Sequence, residues 1–187
     1  TELFTTKWLS EAIGRNVTVV PIEPNIVAGK DGELYVFFRI DAATQIQLVA
    51  KLTDNGTRYE IAGEGIIRDF PTSKSKITIR YDEATDQYIT ISNPYMGGPM
   101  QNQRIVLCIA VSDDLFHWEI REYLLVPRNM ANPVIDGYAH GLQYADFIID
   151  GEDILFVVRE AVGYTCSYHD GNYTAFYRLK DYKQVIG

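Results

Sequence analysis

The sequence has few of the features that nucleic-acid-binding and membrane-spanning proteins need. Its 187 residues include 17 basic and 25 acidic side chains, which give a formal net charge of −8. A chain of this charge is repelled by the phosphates of a nucleic acid and by an anionic membrane surface. It also contains no apolar stretch of about 18 residues, the length that a membrane-spanning helix requires. We therefore expect neither a nucleic acid nor a membrane as partner.

Cysteine and histidine are also scarce. The two cysteines, Cys108 and Cys166, do not have the spacing of a metal site. The three histidines form no H-x-x-H pattern, so zinc is not expected. The sequence thus predicts no metal and no cofactor. Cys108 lies in the apolar run V-L-C-I-A and is predicted to be a buried thiol, while a disulfide with Cys166 stays open.

What the sequence does contain is a repeat. Three segments consist of an apolar strand, a tight acidic turn and a second strand, and a further strand follows each of them. They are residues 26–39, 78–93 and 147–160. A β-meander repeated about every 50–65 residues is typical of β-propeller blades. The sequence therefore predicts an all-β fold of about three four-stranded antiparallel blades, roughly at residues 17–75, 76–135 and 136–187.

The first 16 residues differ from the rest and form a predicted lead-in segment. Apolar residues recur there at helical spacing, at Phe4, Trp8, Leu9, Ala12 and Ile13. Gly14 is a plausible end for a helix. We expect one short N-terminal helix at most, packed on the first blade.

The chain is short for a complete propeller. Four blades of about 40–50 residues are the minimum, and six blades need about 300 residues. Three blades leave two open sheet edges, which proteins rarely expose. The chain starts at Thr1 without an initiator Met or a signal peptide, so we expect a processed or excised start. We expect a single partial propeller domain over residues 1–187, with the rest of the propeller or a second copy covering its open edges.

Four motifs occur along the repeat. They are E-P-N-I-V from Glu23 with Arg39 after it, N-P at 93–94 with Arg104 and S-x-D…W at 112–118 after it, Q-Y-A-D-F around Tyr144, and R-E-A at 159–161. The S-x-D…W motif is a blade turn similar to the Asp-box, in which Ser and Asp bond the turn backbone and Trp packs between sheets. In this order the motifs resemble the second half of the sialidases (neuraminidases), six-bladed propellers that release terminal sialic acid.

The resemblance implies a hydrolase with defined roles for four residues. Sialic acid carries a carboxylate on its reacting carbon, which repels a carboxylate nucleophile, and sialidases use a tyrosine instead. By this resemblance Tyr144 is the nucleophile and Glu23 takes its proton. Arg39 and Arg104 bind the substrate carboxylate through charge-assisted hydrogen bonds.

Three further residues are expected to bind the carbohydrate substrate. Glu160 ends the strand after Tyr144, His140 precedes Tyr144, and Asp146 follows it. The family's acid/base aspartate and its other clamp arginine lie before this segment. The resemblance therefore implies that the chain supplies part of an active site, in a secreted or periplasmic protein.

Two alternatives stay open. A five-bladed glycosidase of the arabinanase or fructosidase type, acting on neutral sugars, uses two inward carboxylates, and Asp69 or Asp146 would then matter more than Tyr144. A carbohydrate-binding propeller without catalysis is the second alternative, because a fold does not fix a function.

Overall fold

The computed structural model describes residues 2–18, 21–40, 45–72, 75–97, 104–126, 140–163, 165, 167 and 169–187. These residues form mainly antiparallel β-strands, which confirms the predicted all-β class. Cys166 and parts of the predicted blade boundaries lie outside them. The described helices are all too short or too polar to cross a bilayer.

The strands form three sheets, and within each sheet the strands pair in sequence order as an antiparallel meander. The first sheet contains β1 (Pro21–Ala28), β2 (Leu34–Ile40), β3 (Ile46–Thr53) and β4 (Arg58–Arg68). The second contains β5 (Ile79–Asp82), β6 (Gln87–Ser92), β7 (Leu107–Ser112) and β8 (Glu119–Leu125). The third contains β9 (His140–Asp150), β10 (Asp153–Val162) and β11 (Tyr173–Leu179). It thus has three strands within the described residues, where the sequence predicts four.

The predicted N-terminal helix is present as α1 (Thr6–Ile13), after a 3-10 turn at Glu2–Phe4. The Thr5 hydroxyl accepts a hydrogen bond from the Trp8 amide at 3.2 Å, and Gly14 ends the helix at φ 75°. A second short helix, α2 (Tyr182–Ile186), closes the chain. The expectation of one helix at most was wrong, because two buried side chains of this short segment anchor it to the sheets.

The sheets stack through apolar faces. One cluster joins the first sheet to the second and contains Phe37, Val49, Ile67, Ile79 and Tyr88. Another joins the second sheet to the third and α2, and contains Ile89, Ile109, Phe147, Phe156 and Tyr182. A third packs α1 on the first sheet through Leu9, Leu48 and Ile66. Each fully buried side chain of this kind contributes about 1.5–3 kcal/mol.

The first strands of the three sheets lie next to one another. The Asn25 side-chain oxygen in β1 accepts a hydrogen bond from the Ile79 amide in β5 at 3.1 Å. The Thr78 hydroxyl, just before β5, donates to the Ala145 carbonyl in β9 at 3.4 Å. Residues far apart in sequence therefore meet along these strands.

The S-x-D…W turn has the predicted structural role. The Ser112 hydroxyl accepts from the Leu115 amide at 2.9 Å, and Asp114 Oδ1 accepts from the Phe116 amide at 2.8 Å. The Trp118 indole donates to the Leu115 carbonyl at 2.8 Å, while its ring packs on Phe70. The turn therefore belongs to the scaffold.

Cys108 is fully buried in β7 and has a free thiol, as predicted. Burial raises the pKa of this thiol to about 12. The thiol is therefore inert at neutral pH.

Candidate functional site

Glu23 is the extra residue of a β-bulge in the first sheet. Ile22 pairs with Arg39 and Pro24 pairs with Phe38, so Glu23 has no partner in β2. Its backbone has φ 49°, a left-handed conformation that a residue with a side chain adopts at a cost of about 1–3 kcal/mol. A bulge re-aims a side chain. Here it directs the Glu23 carboxylate toward the third sheet.

Tyr144 occupies a second bulge, in the third sheet. Gln143 pairs with Arg159 and Asp146 pairs with Val157, so β9 has one residue more than β10 at this point. Tyr144 has φ 54°, again in the left-handed region. Two bulges with strained non-glycine residues thus occur on the first strands of two different sheets.

The two bulged residues contact each other. The Tyr144 hydroxyl donates to Glu23 Oε1 at 3.0 Å, across 121 positions of sequence. The Arg39 guanidinium donates to Glu23 Oε2 at 2.7 Å, and its side chain is 7% exposed. The Glu23 side chain keeps 29% of its surface exposed, so a ligand can reach it.

Arg104 and Arg159 approach Tyr144 through a shared partner. The fully buried Gln143 accepts a hydrogen bond at 3.1 Å from Arg104 and another at 3.1 Å from Arg159, both on Oε1. The Arg159 guanidinium lies over the Tyr144 ring, 4.6 Å from its centre. The following six residues, which we call the central cluster, are therefore connected: Glu23, Arg39, Arg104, Gln143, Tyr144 and Arg159.

The start of β9 is tied to the second sheet beside this cluster. The buried Asn93 amide group donates to the Leu142 carbonyl at 2.7 Å and to the Val106 carbonyl at 2.8 Å, and the Asn93 oxygen accepts from Ser75 at 2.6 Å. The Leu142 amide donates to the Arg104 carbonyl at 2.6 Å. The N-P motif thus places Gln143 and Tyr144 relative to Arg104.

The structure places the other predicted site residues elsewhere. Glu160 is adjacent to Arg159 in β10 and so points to the opposite face, where it accepts a hydrogen bond from Tyr177. Burial and this hydrogen bond raise the pKa of Tyr177 to about 12. Glu160 and His140 line a cavity of about 340 Å³ between the second and third sheets.

Asp146 and Asp69 are also separate from the cluster. Asp146 pairs with Arg80 at 3.1 Å, with nearly half of its side chain exposed. Asp69 follows β4 in an exposed turn at φ 57°. Neither carboxylate has a described hydrogen bond or ion pair to Glu23 or Tyr144.

Sequence reasoning did not assign Gln143 and Arg159 to the site. Gln143 lies in the Q-Y-A-D-F motif and Arg159 in the R-E-A motif. The pairing of β9 with β10 puts the two residues opposite each other. The usable signal was that neighbours in a strand face opposite ways, so Arg159 and Glu160 cannot share one site.

The described residues contain no group of three or more His, Cys, Asp or Glu side chains that could hold a metal ion. The cluster instead combines one carboxylate, one phenol, one amide and three guanidinium groups. Such a set can donate hydrogen bonds to the oxygen atoms of a ligand and can accept a proton at Glu23.

No protein-family model matches the sequence, and no curated protein matches it. Among solved structures, a fructofuranosidase from Schwanniomyces occidentalis has a TM-score of 0.54 at 12% identity, over 75% of this chain and 28% of that one. A GH43 β-1,3-galactosidase has a TM-score of 0.47 at 14% identity, over 96% and 49% of the two chains. A GH43 enzyme from Xanthomonas citri has a TM-score of 0.47 at 12% identity, over 86% and 53%. The chain thus spans about half or less of these structures, and the likeness to the fructofuranosidase concerns the fold alone.

The resemblance to sialidases was wrong. The fold is shared with the fructofuranosidase, which belongs to the five-bladed alternative, and no sialidase family model matches. The S-x-D…W turn carried part of the resemblance. It stabilises the blade itself, as the Ser112 and Asp114 hydrogen bonds show, and so it does not distinguish one class of propeller from another.

Proposed function

We propose that the chain supplies part of the active site of a five-bladed-type glycoside hydrolase that acts on neutral sugars. The observation that carries this proposal is the contact between Glu23 and Tyr144, made by two strained bulges of different sheets. Strained backbone of this kind clusters at functional sites. A purely structural ion pair between Glu23 and Arg39 would not require either bulge.

Glu23 is the proposed proton-transferring carboxyl group. Both of its oxygens accept hydrogen bonds, from Tyr144 and from Arg39, as an ionised carboxylate does. It can take a proton from a water molecule or a sugar hydroxyl, or stabilise positive charge that develops on the sugar ring.

Glycoside hydrolysis generally uses two carboxyl groups on opposite sides of the scissile bond. The central cluster contains one, and neither Asp69 nor Asp146 has a described hydrogen bond or ion pair to it. The second carboxyl group in this proposal comes from the remaining part of the propeller, since the chain matches 28% of the length of the fructofuranosidase. A neutral sugar lacks the carboxylate that makes a tyrosine nucleophile necessary. In this proposal Tyr144 is therefore not the nucleophile but holds Glu23 in place.

The test is Glu23→Gln in the full-length protein, with aryl α-L-arabinofuranoside, β-D-xyloside and β-D-galactoside and with sucrose as substrates. We expect turnover of at least one of them and a loss of about 100- to 10,000-fold in kcat on substitution, because the amide cannot transfer the proton. Glu152→Gln is the matched control, since Glu152 forms an exposed pair with Lys183. Full activity of Glu23→Gln would contradict the proposal.

A carbohydrate-binding propeller without catalysis is the second candidate. The single carboxylate of the cluster favours it. Saturable binding of these sugars by calorimetry, lost in Glu23→Gln, without hydrolysis of any substrate would support it over the enzyme.

A further inference from the structure

Arg159 is held in one place by three contacts. Its guanidinium lies over the Tyr144 ring at 4.6 Å, and one of its terminal nitrogens donates to Gln143 Oε1 at 3.1 Å and to the His169 carbonyl at 3.0 Å. All these partners are uncharged. No ion pair involves Arg159 in the described part of the chain, so it is not the cation of a structural salt bridge there.

Gly171 provides the space for this arrangement. A Cβ atom at this position would lie 2.6 Å from Arg159 Cγ, 3.0 Å from Cδ and 3.1 Å from Nε. Real Cβ atoms do not approach heavy atoms to 2.6 Å. The backbone of Gly171 is not left-handed, so its conformation alone does not require glycine. The absence of a side chain serves the packing of Arg159.

The segment around Gly171 is fastened to β10 next to Arg159. The Asn172 amide group donates to the Val162 carbonyl at 3.0 Å, and the Asn172 side-chain oxygen accepts from the Val162 amide at 2.9 Å. The Asn172 backbone amide donates to the Glu160 carbonyl at 2.9 Å. Arg159 is thus enclosed between this segment and the Tyr144 ring.

We propose that Arg159 is a positioning residue that acts through Tyr144 on Glu23. A guanidinium over an aromatic face is attracted by the ring and restricts its rotation. The restricted ring keeps the Tyr144 hydroxyl 3.0 Å from Glu23, and this hydrogen bond orients the carboxylate. The effect on turnover rests on the proposed glycosidase function, whereas the effect on the Tyr144 ring does not.

The competing explanation is that Arg159 only fastens the chain at His169 and Gly171 to the sheet. The two explanations differ in what they predict for Tyr144. A fastening role predicts that substitution lowers stability and leaves the Tyr144 ring in its place. A positioning role predicts that the Tyr144 ring changes whenever the cation leaves its face.

The first measurement is NMR of the protein labelled with ¹³C in its tyrosine rings. Tyr144→Phe identifies the Tyr144 signal by its loss. We expect this signal to shift and to show faster ring rotation in Arg159→Leu, which lacks the cation, and in Gly171→Ala, which displaces it. Arg159→Lys should retain an intermediate signal because it keeps a charge near the ring.

Arg178→Leu is the control, since Arg178 lies in β11 of the same sheet and pairs with Asp153 at 3.4 Å. It should leave the Tyr144 signal unchanged. If Arg159→Leu does not fold, Gly171→Ala and Arg159→Lys decide the question. An unchanged Tyr144 signal in every folded variant would overturn the inference.

The second measurement is the kinetics of the full-length protein on its best neutral glycoside. We expect Arg159→Ala to lower kcat by about 10- to 100-fold, as small misplacements of catalytic groups do, with KM changed by less than about twofold. Added guanidinium ion at non-denaturing concentration should restore part of kcat. A rise in KM alone, without rescue, would contradict the positioning role. If wild-type protein hydrolyses none of the glycosides, the proposed function fails and the NMR result alone decides the inference.

Discussion

Asn93 is the residue whose removal should disturb the site most without touching its chemistry. It is buried and makes three side-chain hydrogen bonds, two of them to backbone carbonyls of the second and third sheets. It therefore connects the start of β9 to the segment that contains Arg104 and Val106. The N-P motif can be read from the sequence, but its partner Leu142 cannot.

We predict that Asn93→Ala lowers the free energy of unfolding by about 2–4 kcal/mol, because it leaves buried carbonyl groups without donors. Urea unfolding of the protein measures this loss. Asn172→Ala is the matched control, since it also removes hydrogen bonds to a backbone group but at an exposed position, and should cost less than about 1 kcal/mol. Equal losses in the two variants would contradict the role of Asn93.

The meeting of Glu23 and Tyr144 could be predicted from the sequence, because the blade repeat brings the first strands of the sheets together. Arg39 joins them because it lies beside Glu23 on the neighbouring strand β2. The bulges could not. A left-handed backbone is usually marked by glycine, and here it falls on a glutamate and a tyrosine, whose conformations the surrounding sheets impose. The position of Arg159 depends on its pairing with Gln143. The register of β10 against β9 at this point follows only once the bulge at Tyr144 is known.

At the scale of elements, α2 is the feature that the sequence did not reveal. Five residues are too few for a stable isolated helix, so its helical propensity carries little information. Tertiary contacts hold it instead. Tyr182 is fully buried, and its hydroxyl donates at 2.6 Å to Oδ2 of Asp82, the last residue of β5 in the second sheet. The helix thereby joins the third sheet to the second.

This contact predicts a pH-dependent stability. Burial raises the pKa of Asp82, but hydrogen bonds from Thr85 and Tyr182 outweigh it and hold the pKa below its ordinary value of 3.8. The folded state thus binds the proton less readily than the unfolded state. The stabilisation is fully present above about pH 4 and is lost as the pH falls through the folded-state pKa.

We predict that Tyr182→Phe lowers the free energy of unfolding at pH 7 by about 1.5–3 kcal/mol, the contribution of a hydrogen bond to a charged group. The difference from wild type should shrink as the pH falls below about 4 and through the lowered folded-state pKa of Asp82. Urea unfolding at several pH values measures it, with the exposed Tyr173→Phe as control. A difference that is constant down to pH 2 would show that the Asp82 charge is not involved.

For the whole molecule, the first sheet packs on the second and the second on the third, and no other described sheet covers the outer face of the third. The outer face of that sheet exposes Ile148, Val157 and Phe176, with exposed fractions of 54%, 40% and 65%. These side chains are apolar, like those that join the first sheet to the second and the second sheet to the third. In the proposed enzyme a further sheet of the propeller covers this face, and the same remaining blades supply the second carboxyl group. The sequence predicted the repeat because each blade carries its own turns. These turns do not report the number of blades, so they could not distinguish a five-bladed from a six-bladed propeller.

Whether Glu23 belongs to a glycosidase active site can be tested by a crystal structure of the full-length protein soaked with L-arabinose, D-xylose, D-galactose or D-fructose. We predict that one of these sugars binds beside the central cluster, with a hydroxyl or ring oxygen within hydrogen-bond distance, about 3.2 Å or less, of the Glu23 carboxylate. We also predict that a second carboxyl group from another blade faces Glu23 across the sugar. A sugar bound elsewhere on the propeller, with Glu23 contacting only Tyr144 and Arg39, would contradict the claim that Glu23 belongs to a glycosidase active site.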